Sequence, residues 1–276
     1  MHEESAFAGF GGIDIYYQAW IPEAVRAVLV IVHGLGEHSG RYAQLAGFLN
    51  KKGFACFALD HRGHGQSGGK RGHVLAFSEY LDDLDQFWKT VRERYPDKKA
   101  FALGHSLGGL IATLWAMSQP EGLDGLVISS AAYAVKIEAS PVKLALGRFF
   151  SKYAPGLSLS NEIDPKFISH DPDVVKAYID DPLVHGRVSA RFYTSFMGAI
   201  ENCQARAAEL NVPVLIMQSG EDRLVDPKGS EVFYSRAGSQ DKTLKIWDGF
   251  YHEMFNELER DRVKSYAGEW LEKHIA

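Results

Sequence analysis

"Ala102-Leu103-Gly104-His105-Ser106-Leu107-Gly108-Gly109-Leu110" sets one serine among three glycines, between two apolar runs. A core segment has no use for a serine there, and an ordinary turn has no need of glycine at both minus two and plus two. The flanks supply a reason. Residues 100–103 read as a buried strand, and "Leu110-Ile-Ala-Thr-Leu-Trp-Ala-Met" begins a helix that ends near Pro120. To hold a serine oxygen clear of the end of a sheet, the strand must turn into a helix almost without a loop. That turn strains the serine backbone and presses the residues two before and two after it against strand and helix, so both must be glycine. Gly104-His105-Ser106-Leu107-Gly108 therefore reads as a G-x-S-x-G elbow with Ser106 as candidate nucleophile. The helix start adds free N–H groups and a positive dipole end, suited to a developing oxyanion. A glycine-rich helix cap is the plain alternative, and the strand before and helix after weigh against it.

Outward from the elbow, short apolar runs alternate with amphipathic stretches. Strands are expected at residues 13–20, 27–33, 54–60, 100–103, 123–129, 212–217 and 242–247. Helices are expected at 42–52, 77–95, after Leu110, and from about 257 to 274. Near-continuous apolar strands between helices mean a mostly parallel sheet covered on both faces. Residues 133–205 break the rhythm. A helix over 140–153 (apolar at Val142, Leu146, Phe149, Phe150 and Tyr153) is followed by loop-like "Asn161-Glu-Ile-Asp-Pro" and "His170-Asp-Pro-Asp", then a helix from Ala190 to about Ile200. No strand is expected there. The segment reads as an insertion over the sheet edge, not a domain with its own core.

A serine nucleophile needs a base and an orienting carboxylate, which in such a fold follow it in the order Ser, acid, His. His170, His185, His252 and His274 follow Ser106. His252 alone stands in the loop after a late strand, "Ile246-Trp247-Asp-Gly-Phe-Tyr-His252". For the acid, Glu221, Asp222 and Asp226 all lie beyond "Val214-Leu-Ile-Met-Gln-Ser-Gly". Asp226 precedes Pro227, the signature of a helix N-cap, so its structural duty is filled. Asp222, at the tip of the turn, is preferred over Glu221. The loop "His33-Gly34-Leu35-Gly36" ends an earlier strand and would aim the Leu35 amide at the same spot as the Leu107 amide, completing an oxyanion hole.

Composition narrows the classes. A chain of 276 residues, 46% hydrophobic, can bury a large core, and a net charge of −5 with dispersed Lys/Arg pairs argues against nucleic acid. Two cysteines without a CxxC partner, Cys56 and Cys203, imply buried or half-buried free thiols in a reducing compartment. The acidic "MHEESAFAGFGG" lacks a signal-peptide pattern, and "AVLVIV" is too short to span a bilayer, so a cytoplasmic protein is expected. "Asp60-His61-Arg-Gly-His64", with His33, His38 and His73, mimics a metal cluster, but these histidines sit beside glycines and Arg62 in loops; no metal is expected. "Gly34-Leu-Gly36" mimics a dinucleotide fingerprint, but Ser39 stands where the third glycine belongs and Glu37 would face the pyrophosphate.

With these pieces placed, "HGLGEHSGRY" (33–42), "DHRGHGQSGGKRGHV" (60–74), "GHSLGG" (104–109), "DPLVHG" (181–186), "EDRLVDPKGS" (221–230) and "SQDKTLKIWDGFYHEMFNE" (239–257) resemble the monoacylglycerol lipase and lysophospholipase branch of the α/β-hydrolase superfamily. The resemblance spans nearly the whole chain in the family's order. It implies an α/β-hydrolase fold with its core in residues 1–132 and 206–276 and a mobile helical cap in 133–205. It implies Ser106, Asp222 and His252 as catalytic residues, Leu35 and Leu107 as oxyanion-hole amides, and no cofactor. It further implies a monoacylglycerol substrate, with lysophospholipids or short-chain esters as alternatives. The cap would line an acyl tunnel and touch lipid surfaces transiently. Leu35 departs from the small residue of the mammalian lipases, which narrows the site and leaves the amide intact. A non-catalytic binding protein on this fold is the alternative of a different class; such proteins usually lack a triad member, and all three candidates are present here.

Overall fold

The computed structural model describes residues 1–136 and 141–275; the side chains of 141–145 also fall outside the described set, so Ser140 and the Val142 side chain of the expected cap helix lie outside the described residues. The chain opens with β1 (His2–Ala8) and β2 (Asp14–Trp20). It continues through β3 (Ala27–Val32), α1 (Ala43–Asn50), β4 (Phe54–Leu59), α2 (Ser78–Arg94), β5 (Lys99–His105), α3 (Leu107–Ala116) and β6 (Gly125–Ser129). An insertion follows, made of α4 (Pro141–Tyr153), β7 (Ser158–Ser160), α5 (Pro172–Asp180), β8 (Arg187–Ser189) and α6 (Ala190–Ala205). The alternation resumes with β9 (Val214–Ser219), α7 (Pro227–Arg236), β10 (Lys242–Trp247) and α8 (Arg260–Ile275).

Eight of these strands form one sheet in the order β1-β2-β4-β3-β5-β6-β9-β10. All neighbours from β4 to β10 pair in parallel, and β2 runs antiparallel to both β1 and β4. The mostly parallel α/β-hydrolase sheet expected from the sequence is thus present. Every residue of β3, β4, β6 and β9 is buried, as continuous apolar strands between two helical layers require. β3 divides its side chains between two cores. Val28, Val30 and Val32 pack with α2, α3, α6 and α7, while Ala27, Leu29 and Ile31 pack with α1 and α8.

Three features differ from the sequence expectation. β1 was not foreseen, because its mostly exposed "His-Glu-Glu-Ser-Ala-Phe-Ala" buries no continuous apolar face. The insertion contains a small antiparallel pair, β7 with β8, too short to leave a periodic trace. It also contains α5 where a loop was expected. Asp171 caps α5 by accepting from the Asp173 amide at 3.1 Å, with Pro172 at the first helical turn. Asp226 and Pro227 do the same for α7, with the Lys228 amide at 3.1 Å. Cys56 and Cys203 are both free and buried.

The loop between β4 and α2 is pinned by a buried ion pair. The Arg62 guanidinium, 4% exposed, meets both carboxylate oxygens of Asp83 at 2.6 and 2.7 Å, Glu79 at 2.6 Å and the Phe10 carbonyl at 2.8 Å. Breaking one partner of such a pair leaves a buried charge uncompensated, which is far more costly than losing a surface contact.

Candidate active site

The carboxyl ends of β3, β5, β9 and β10 lie on one edge of the sheet, and the loops that leave them carry the residues singled out above. Ser106 stands between β5 and α3 at φ 53° and ψ −119°, in backbone space that L-residues seldom enter. Two observations show what enforces it. A Cβ at Gly104 would lie 2.5 Å from the Gly108 carbonyl oxygen, and one at Gly108 would lie 2.1 Å from that of Val32 and 2.3 Å from that of His33. Backbone bonds lock the bend from both sides: the Ser106 amide donates to the Ser129 carbonyl at 3.0 Å, and the Ser106 carbonyl accepts from Ala132 and Leu110. Strain of this kind costs on the order of 1–3 kcal/mol and persists only where its surroundings dictate it.

The three carboxylates left open by the sequence have separate environments. Glu221 is exposed. Asp226 caps α7. Asp222, 1% exposed, accepts from His252 Nδ1–H at 2.7 Å through Oδ2, while Oδ1 accepts from the amides of Leu224 and Val225 at 2.9 and 3.0 Å. Burial works to raise the Asp222 pKa, but the His252 charge and hydrogen bond and the two amides outweigh it, and the value lies below the ordinary one. For His252, 5% exposed, burial works to lower the pKa and the Asp222 charge outweighs it, helped by Glu253 and Glu37; the net shift is upward. Because Nδ1–H is spent on Asp222, Nε2 is the ring nitrogen left to take a proton. The ring packs on His105, the residue before Ser106, with centroids 4.7 Å apart.

The Leu35 and Leu107 amides donate to no protein acceptor among the described residues. Gly34 sits close enough to the elbow that a Cβ there would lie 3.2 Å from Ser106 Cβ. Its amide donates to Glu37 Oε1 at 2.6 Å, so the carboxylate occupies the ground a pyrophosphate would need. The loop histidines are engaged in structure. His61 donates through Nε2 to the His33 carbonyl, its amide donates to His33 Nε2, and His64 Nδ1 donates to the Arg62 carbonyl. Among the described residues no group of three or more His, Cys, Asp or Glu side chains is arranged to hold a metal.

The insertion lies against these loops. The His185 amide donates to the Gly36 carbonyl at 2.9 Å, and a Cβ on Gly36 (φ 79°) would fall 2.6 Å from the His185 carbonyl oxygen. Asp181 pairs with His38 at 2.9 Å, and the Glu253 amide donates to the Ile168 carbonyl at 2.8 Å. Gly72 serves the same docking: a Cβ there would fall 2.0 Å from the Arg187 carbonyl oxygen. Sequence reading missed the buried residues Glu37, Arg41 and Glu253, which join two of these loops over 212 positions of chain; no local pattern marks that pairing.

The chain that carries this bend and this Asp–His pair is similar to known proteins along nearly its whole length. The family profile described as serine aminopeptidase, S33, matches residues 23–259. The monoacylglycerol lipase of Mycolicibacterium smegmatis is 37% identical over 274 residues, covering 99% of this chain and 98% of that one. The chain belongs to the monoacylglycerol lipase branch of the α/β-hydrolases. Among solved structures related to this branch, the monoacylglycerol lipase of Paleococcus ferrophilus superposes with a TM-score of 0.85 at 37% identity, covering 94% of this chain and 99% of that one. The Bacillus subtilis phospholipase YtpA is 32% identical over 258 residues, 93% of this chain and 99% of that one.

The buried histidines make stability depend on pH in a definite direction. Burial drives the pKa of His33 down to about 3 and those of His61 and His64 well below the usual value. The fold keeps them neutral, whereas the unfolded chain protonates them near pH ~6.5. Their stabilising effect is complete above that pH and is lost as pH falls below it, by about 1.4 kcal/mol per pH unit for each histidine. The raised pKa of His252 acts oppositely, but it is one group against three. Urea unfolding from pH 7.5 to 5 should show a falling free energy, with a shallower slope in His64→Leu. A flat or rising curve contradicts the assignment.

Proposed function

We propose that the protein is a carboxylic ester hydrolase that cleaves monoacylglycerol to fatty acid and glycerol through an acyl-enzyme on Ser106. The observation that carries the reading is the Asp222–His252 pair beside the strained bend at Ser106, and the substrate class is taken from the relatives. In this mechanism His252 Nε2 accepts the Ser106 hydroxyl proton as Oγ attacks the ester carbonyl. The amides of Leu35 and Leu107 receive the tetrahedral oxyanion. His252 then passes its proton to the departing glycerol oxygen, leaving acyl-Ser106. Water, deprotonated by His252, attacks that ester; the acyl–Oγ bond then breaks, His252 returns the proton to Ser106 Oγ, and the fatty acid leaves. Asp222 fixes the imidazole tautomer and balances its charge. Gly104, His105 and Gly108 shape the bend, and every step is met without a cofactor. The phospholipase relative supports lysophospholipids as a second substrate.

The domain reading assigns the core to residues 1–132 and 206–276 and the cap to 133–205. Two free buried thiols support a reducing compartment and so favour the cytoplasm, where the protein is proposed to work peripheral to membranes. No helix among the described residues is long and apolar enough to cross a bilayer. Leu146, Phe149 and Tyr153 on α4, with Leu157 and Leu159 beside them, are exposed. Arg148 and Lys152 are interleaved with them. This apolar face is the part of the cap proposed to touch lipid, as exposed apolar patches of this kind mark interaction surfaces.

Three experiments test these assignments. A fluorophosphonate probe should label the wild type and not Ser106→Ala, whose turnover should drop by roughly 10⁶; labelling that persists in Ser106→Ala removes the mechanism. Asp222→Asn should lower kcat by about 10⁴. Because His252 must be neutral to act, the wild-type acidic limb of kcat/KM should lie above pH ~6.5, and in Asp222→Asn it should move to lower pH. For the cap, Phe149→Asp with Tyr153→Asp should cut turnover on monoacylglycerol in anionic vesicles about tenfold or more, given ~1.5–3 kcal/mol for each large apolar side chain kept from burial. Hydrolysis of a soluble short-chain ester should not change. Equal losses on both substrates contradict the lipid contact.

A further inference from the structure

The loop after β3, which presents the Leu35 amide, and the loop after β10, which presents His252, share no β-ladder and come from distant parts of the chain. What joins them is one buried guanidinium. Glu37 Oε1 accepts from the Gly34 amide at 2.6 Å and from the Tyr42 hydroxyl at 2.8 Å, which holds the residue before Leu35. Glu37 Oε2 accepts from Arg41 at 2.9 Å. The same Nη1 of Arg41, together with Nη2, grips Glu253, the residue after His252, with two parallel bonds of 2.6 and 2.7 Å. Asn256 Nδ2 adds a bond to Glu253 at 2.9 Å, and the Tyr178 ring of α5 covers the guanidinium at 4.8 Å. The side chains of Arg41, Glu37 and Glu253 are 11%, 5% and 6% exposed.

A planar fork with two filled arms fixes direction as well as distance, which a lysine in its place could not do. Surface ion pairs achieve little of this because water competes for them; here water is largely excluded. We infer that Arg41 is a positioning residue that clamps Glu37 and Glu253 together and so sets the Leu35 amide and the His252 imidazole in register for the same transition state. This inference rests on the proposed triad and oxyanion hole. It goes beyond them in giving a role to a residue that touches neither substrate nor Ser106.

The clamp also has an electrostatic signature. Groups acting on His252 are Asp222 from the loop after β9, His105 from the end of β5, Glu37 from the loop after β3, and Glu253 from its own loop; Arg41 is paired with both glutamates. Both glutamates favour the charged imidazole, and each has its charge neutralised by pairing with the Arg41 guanidinium. Without Arg41 the two carboxylates act on His252 unopposed, so its protonated form should persist to higher pH.

The test compares Arg41→Met, Arg41→Lys, Glu253→Gln and the double variant Arg41→Met/Glu253→Gln on a soluble short-chain ester across pH. Loss of one oxyanion donor typically costs about 10²–10³ in rate, and Arg41→Met should lower kcat by that order with KM within about threefold. Its acidic limb should move to higher pH. Arg41→Lys should restore the limb and recover only part of kcat. Glu253→Gln, nearly identical in shape, should move the limb to lower pH, and it keeps the proposal testable if Arg41→Met does not fold. In the double variant the limb should return towards wild type while kcat stays low. Unchanged kcat and limb in Arg41→Met and Glu253→Gln, with Ser106→Ala inactive, overturns the clamp alone. Hydrolysis that survives Ser106→Ala overturns the site reading beneath it. A loss of kcat that follows lowered Tm, with no movement of the limb in any variant, reduces Arg41 to a structural residue and also overturns the proposal.

Discussion

The bend at Ser106 is the constraint on which the rest of the molecule depends. A non-glycine residue at φ 53° is held there because β5 and α3 meet with no loop between them. That meeting is possible only because Gly104 and Gly108 bring backbone against backbone at distances no Cβ could occupy. Strand β3 supplies the wall that Gly108 presses on, at the carbonyls of Val32 and His33. The segment that becomes the amide loop therefore also enforces the bend. Strain stored at one residue is balanced by a wholly buried α3 and by four fully buried parallel strands.

Around that bend the chemistry is assembled from strand ends that the sequence keeps far apart. The loop after β9 presents Asp222, whose two oxygens are committed to His252 and to two amides, so the carboxylate has a single orientation. β10 leads to His252, whose ring packs at a tilt against His105 and whose charge Asp222 favours. The insertion rests on the same loops through glycines that leave room for its carbonyls, at Gly36 and Gly72. A cap seated on the loops that carry the proposed oxyanion donor and base can exclude water from them, which strengthens every electrostatic interaction inside.

Much of this was legible in the sequence because the governing forces are local. Buried parallel strands need unbroken apolar runs, and these located the sheet to within a few residues. The elbow needs glycine at two fixed offsets, and Asp226-Pro227 needs to cap a helix. The same Asp-Pro grammar at Asp171-Pro172 went unread, because the surrounding segment lacked the apolar period that makes a helix obvious. β1 stayed hidden because an edge strand with exposed Glu3, Glu4 and Ser5 has no buried face to announce it. The Glu37–Arg41–Glu253 bridge was beyond reach for another reason. Glu37 and Arg41 stand four positions apart, and Glu253 joins them only after the whole sheet has formed. Distant ion pairs carry no periodicity.

The central claim is that one serine oxygen, one imidazole and two backbone amides converge on a single tetrahedral centre. The most direct measurement is a crystal structure of the protein after reaction with a long-chain fluorophosphonate. The account predicts phosphorus bonded to Ser106 Oγ, its P=O oxygen about 2.7–3.1 Å from the amide nitrogens of Leu35 and Leu107, and His252 Nε2 within hydrogen-bond reach of an oxygen on the phosphorus. Phosphorus on any other side chain, or on Ser106 with its P=O turned away from both amides, contradicts it.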